Sequence, residues 1–96
     1  MSPKNKIKLN FLRKKLDNID IRLLKIVKER TEIIKKVLQL KTYKNEIIDK
    51  KRINKILKNI RTKSLQKNID PKITKRIWIN MIYAFINFEK RNFKKK

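Results

Sequence analysis

An all-α fold of three helices, the first of them very long, is what this 96-residue sequence predicts. Three observations lead there. The chain has no glycine and only two prolines, Pro3 and Pro71. Tight turns with positive φ would therefore have to use Asn, Asp or Lys, which argues against a hairpin-rich fold. Second, Leu12, Leu16, Ile19, Leu23, Ile26, Arg30, Ile33, Val37 and Leu40 step alternately by four and three positions, one unbroken helical seam. Third, the apolar period breaks twice, at 42–48 and at 67–69, and so divides the chain into three.

The first helix is expected from about Leu9 to about Lys41, preceded by a flexible basic arm at 1–8. At 1.5 Å per residue it would be roughly 50 Å long, more than the width of a small domain. A second seam lies beside the first, through Leu24, Val27, Thr31, Ile34 and Leu38 to Lys41. Two shorter helices cannot cover a rod with two apolar seams. A second copy of the chain is the simplest cover, which predicts a twofold, intertwined homodimer. Thr42–Ile48 reads as a connector. Asp49 is a candidate N-cap for a second helix from Lys50 to about Leu65, with an apolar stripe of Ile53, Ile56, Leu57 and Ile60. Asp70-Pro71 is the strongest local signal: Asp caps the orphan amides of a helix start, and Pro suits its first position. The third helix should then run to about Arg91 through Ile73, Ile77, Trp78, Met81, Ile82, Phe85 and Phe88. One helical domain at 9–92 is expected, with a basic tail at 93–96.

A net charge of +22 invites a nucleic-acid or membrane reading. Yet Lys, Ile and Asn fill about half of the chain, and all three have A/T-rich codons. The lysines are scattered over every segment rather than gathered in one arm, so mutational bias accounts for the charge better than a dedicated nucleic-acid surface. The field still draws small anions to any cleft. With no cysteine there is no disulfide, thiolate nucleophile or sulfur ligand, and with no histidine the usual general base and zinc ligand are missing. Neither a metal nor any other cofactor is expected. Met1–Asn10 has no apolar run of secretory type, and no stretch is apolar enough to span a membrane, so a cytoplasmic location is the expectation.

Three charged residues occupy positions where the helical pattern asks for apolar ones: Arg30, Lys41 and Glu89. Charges are almost never fully buried without a partner. Arg13 and Arg52 also flank apolar stripes. A lone Arg beside such a stripe usually snorkels to water. Arg13, Arg30, Lys41 and Arg52 together instead suggest a small anionic ligand held between helices, with Arg suited to bidentate carboxylate recognition and Lys acting as a point charge. Asp17, Asp20 and Glu29 read as partners in helical ion pairs.

The run Leu12-Arg13-Lys14-Lys15-Leu16-Asp17-Asn18-Ile19-Asp20-Ile21-Arg22-Leu23-Leu24, followed by Glu29-Arg30 and Lys41, resembles the first helix of the all-helical chorismate mutases. Asp49-Lys50-Lys51-Arg52 is similar to the start of that family's second helix. Ile69-Asp70-Pro71, Ile77-Trp78 and the stretch from Met81 to Glu89 are similar to its third. The resemblance covers about residues 10–92. It implies an intertwined dimer that converts chorismate to prephenate without a cofactor, in aromatic amino-acid biosynthesis. It implies that Arg13 reaches into the partner's site, that Arg30 and Arg52 grip the two substrate carboxylates, and that Lys41 and Glu89 flank the ether oxygen of the breaking bond. Asp49, Ile53 and Phe85 would complete the substrate-binding set.

The chemistry agrees. An intramolecular [3,3] rearrangement needs no nucleophile and no proton transfer; it needs the folded conformer held, and donors aimed at the ether oxygen. Two positions depart from the family pattern. Ile53 stands where many members have a Glu that contacts the substrate hydroxyl, and Glu89 where many have Gln. An ionised Glu cannot donate a hydrogen bond to an ether oxygen, whereas a protonated one can. The pattern Arg52-Ile53, with the stretch Ala84-Phe85-Ile86, also resembles a sub-branch that includes isochorismate pyruvate-lyases. A basic helical nucleic-acid-binding protein is the alternative of a different class.

Overall fold

In the computed structural model, which describes residues 1–94, the chain forms α1 (Pro3–Leu40), a short 3₁₀ turn (Lys44–Glu46), α2 (Lys50–Gln66) and α3 (Pro71–Asn92). Among the described residues there is no strand, as the absence of glycine and the seam periodicity predict. Lys95 and Lys96, the end of the expected basic tail, lie outside the described residues.

α1 begins six residues earlier than expected. The Asn5 amide donates to Ser2 Oγ at 3.2 Å and the Lys6 amide to Ser2 O at 2.9 Å, with Pro3 at the first helical position. Ser before Pro is a good helix start, and nothing between Lys4 and Leu9 breaks a helix once it is nucleated. Most of the segment expected as an arm is therefore helix. Two compact units divide the described residues, one ending at Ile33 and one beginning at Ile34. In the first unit the apolar side chains of the seam are exposed, among them Leu12, Leu16, Leu23 and Ile26.

The second unit holds the core. Leu38, from the last turns of α1, packs with Ile47, Ile82 and Ile86, and Ile53, Ile56, Leu57 and Phe93 lie partly buried against them. Phe93, expected at the start of a tail, is thus part of the packing. α2 and α3 lie against each other. The expected stripe of α2 is the half-buried face: Ile53, Ile56, Leu57 and Ile60. A hydroxyl pair joins the two helices, Ser64 Oγ and Thr74 Oγ1 at 2.7 Å, both residues buried; Ser64 also donates to Ile60 O at 2.6 Å. Such buried hydroxyls need partners, and here they supply each other.

The turn between α2 and α3 uses Asn where other chains use glycine. Asn68 has φ 57°. The Ile69 amide donates to Ser64 O at 2.9 Å and the Asn68 amide to Leu65 O at 3.3 Å, the two bonds of a Schellman ending. Both expected caps form. Asp49 Oδ1 accepts from the Arg52 amide at 3.0 Å, and Asp70 Oδ1 from the Lys72 amide at 2.9 Å with Pro71 opening α3.

Candidate active site

Glu89 is the most deeply placed charge of this core, 4% exposed on a buried face of α3 that also carries Ile82 and Ile86. The step from Phe85 to Glu89 is one helical turn, so α3 turns the carboxylate inward as it does the apolar residues. An ionised carboxylate is held there only if something compensates for lost water. Lys41 does so: its Nζ donates to Glu89 Oε2 at 2.7 Å, a charge-assisted hydrogen bond.

Lys41 is the first residue beyond α1. Its amide still bonds to Leu38 O at 3.1 Å, so the buried Leu38 and Lys41 lie one turn apart. The backbone then turns through the connector. The Thr42 and Tyr43 amides both donate to Glu46 Oε1, at 3.2 and 2.9 Å, and the Glu46 amide returns to Tyr43 O at 3.1 Å. Ile47, 4% exposed, anchors the connector in the core. Lys41, Glu46, Ile48, Asp49, Lys50 and Lys51 line an open pocket of about 540 Å³.

The structure thus brings together Lys41 and Glu89 as a bonded pair, and Lys41 and Asp49 on one pocket wall. Asp49 also caps the helix that carries Arg52 and Ile53. Arg52 is exposed, Ile53 packs against the core, and Phe85 is half-buried on α3. Arg13, exposed, and Arg30, half-buried, lie on α1 within the first unit. Sequence reasoning missed Glu46. Its signal is the acidic residue at the third position of a helical turn, but Tyr43 at the cap is outside the usual Ser/Thr/Asp/Asn set.

Chemically, an ammonium has three donors, and one is committed to Glu89. The others can meet an electronegative atom of a bound molecule at this site. Among the described residues no group of three or more His, Cys, Asp or Glu side chains could hold a metal, and no helix is long and apolar enough to cross a membrane.

Lys41 and Glu89, the two residues that the resemblance puts beside the ether oxygen, are hydrogen-bonded to each other. The family model described as chorismate mutase type II matches residues 12–90, most of the chain. The chain belongs to the type II chorismate mutase family. Comparison with curated proteins and with solved structures gives no significant match. Membership makes this an enzyme of the isomerase class, acting on chorismate to give prephenate. The span shared with the type II chorismate mutases contains Arg13, Arg30, Lys41, Asp49, Arg52, Ile53, Phe85 and Glu89, and leaves out the first turns of α1.

Proposed function

We propose that the chain works as a cytoplasmic, intertwined homodimer that rearranges chorismate to prephenate in aromatic amino-acid biosynthesis, and that Lys41 is the group that meets the reacting atoms. In the rearrangement the ether C–O bond breaks as a C–C bond forms, and the electrons move around one six-membered ring. No proton leaves or enters. Negative charge builds on the ether oxygen, and a donor already aimed at that oxygen lowers the barrier without reorganising. Lys41 is such a donor. The observation that carries the reading is its 2.7 Å bond to Glu89, which holds a flexible side chain in one direction.

The other roles follow from residue chemistry and family resemblance. Arg30 and Arg52 supply bidentate clamps for the two carboxylates. Arg13 is contributed by the partner chain. Asp49, Ile53 and Phe85 form walls, and Ile53 offers an apolar surface to the substrate hydroxyl. The exposure of the α1 seam supports the dimer: Leu16 is 57% exposed and Leu23 52%. Fully burying each such side chain is worth roughly 1.5–3 kcal/mol, and the seam carries several of them.

The deciding experiment incubates the purified chain with chorismate and follows chorismate absorbance together with salicylate fluorescence, beside the same assay on isochorismate. Loss of chorismate with no salicylate is the expected result. Release of salicylate from isochorismate, with chorismate untouched, would replace the mutase with a pyruvate-lyase on the same scaffold.

A further inference from the structure

We infer that Glu46 is a positioning residue for Lys41, holding the backbone from which that side chain reaches Glu89 and a bound substrate. The inference rests on the role proposed above for Lys41. It concerns a residue outside the set of cations and walls that sequence resemblance supplies.

The reasoning starts from the end of α1. A helix end leaves carbonyls unsatisfied and frees the next residues to leave in many directions. Here one direction is selected. The Lys41 amide makes the last turn with Leu38 O at 3.1 Å, and the next two amides, of Thr42 and Tyr43, converge on the single oxygen Glu46 Oε1. The Glu46 amide closes the ring on Tyr43 O at 3.1 Å, and the Ile47 amide bonds to Lys44 O at 3.2 Å. Ile47 then sits in the core beside Leu38, the residue one turn before Lys41. The connector is therefore pinned at both ends to one apolar cluster, and a carboxylate bridges its middle.

The choice of partner is informative. The chain has 30 Lys and Arg against 8 Asp and Glu, and Lys44 is two residues away. The Glu46 side chain nonetheless spends its bonds on two backbone amides immediately after Lys41. Bonds from amides to an ionised acceptor are stronger than neutral ones and set backbone direction rather than charge balance. Lysine has a long side chain with considerable rotamer freedom, so fixing its starting point narrows the cone its Nζ explores. Glu46 also shares the pocket lined by Lys41 and Asp49, so the clamp lies beside the ligand space rather than on a remote surface.

A positioning role has a kinetic signature. Carboxylate binding by the arginines should persist without the clamp, while alignment of Lys41 in the transition state suffers. In the full chain, Glu46→Ala should lower kcat by at least about tenfold with KM changed by less than about twofold. Glu46→Gln, which keeps an acceptor oxygen, should restore most of that loss. Combined with Lys41→Ala, Glu46→Ala should cost nothing further, since the group it positions is already gone. Amide hydrogen exchange at Thr42 and Tyr43 provides a second readout that needs no turnover: exchange should be slow in the parent, faster in Glu46→Gln and fastest in Glu46→Ala.

The inference is overturned by an inactive Lys41→Ala beside a fully active Glu46→Ala. It is equally overturned if Glu46→Ala lowers thermal stability while kcat below the melt stays parental, or if the two amides exchange at the parental rate in Glu46→Ala. A Lys41→Ala variant that turns over at the parental rate instead removes the role of Lys41 itself, a failure distinguishable from the others because it needs no change at Glu46.

Discussion

Lys41 Nζ and Glu89 Oε2 lie 2.7 Å apart although 48 positions separate the residues in the chain. The bond ties the end of α1 to the last turns of α3. Its carboxylate is nearly enclosed, with 6% of the Glu89 side chain exposed against 18% for Lys41. Removing one member of such a pair strands the other, which costs more than the pair itself contributes. Lys41→Met should therefore destabilise the fold by about 3 kcal/mol, at the lower end for a buried pair because Lys41 is partly wetted. Urea unfolding measures it, and Lys41→Met with Glu89→Leu should recover part of the loss.

The proposed composite site has an arithmetic test. Arg30→Ala removes one of the two proposed carboxylate clamps and should lower turnover by about 100-fold or more. If Arg13 serves the partner's site, Arg13→Ala should also be impaired. Unfolding the two variants together and refolding the mixture makes half of the dimers mixed, and each mixed dimer has one site with both arginines. About a quarter of parental activity should return. A mixture no better than the average of the two variants would place Arg13 outside the partner's site.

Dimerisation through α1 should also be visible without substrate. Leu23 is 52% exposed on the seam. Leu23→Glu should shift the chain to a smaller species on a sizing column, and the parent's melting temperature should rise with protein concentration.

Asn68 has positive φ, at 57°, and stands alone in this among the described residues. Left-handed backbone costs most residues roughly 1–2 kcal/mol, and Asn and Gly less. Asn68→Val should lower stability by about that amount, whereas Asn68→Gly should be neutral or mildly stabilising; thermal melts of the two variants decide it.

Much of this was legible before the fold. The α1 seam, the breaks near Thr42 and Lys67, the Asp49 cap and the Asp70-Pro71 start depend on residues within a turn or two of each other. The inward direction of Glu89 was legible as well, because helical period alone places it one turn past Phe85. The start of α1 was misread: a polar, basic stretch looks like an arm by composition, yet Ser2-Pro3 initiates a helix that nothing interrupts.

By itself, the sequence determined the three helices, their caps and the need of its misplaced charges for partners, because helix signals act over a few residues and periodicity reports which face is apolar. Only the tertiary structure decided that Lys41 is the partner of Glu89, that Ser64 meets Thr74, and that Glu46 closes on the amides after Lys41. The first two depend on how α2, α3 and the end of α1 are rotated about their axes when packed. The third depends on a connector path that no periodicity encodes. In each case the energy lies in one short polar bond whose existence is settled by angles the chain acquires only on packing.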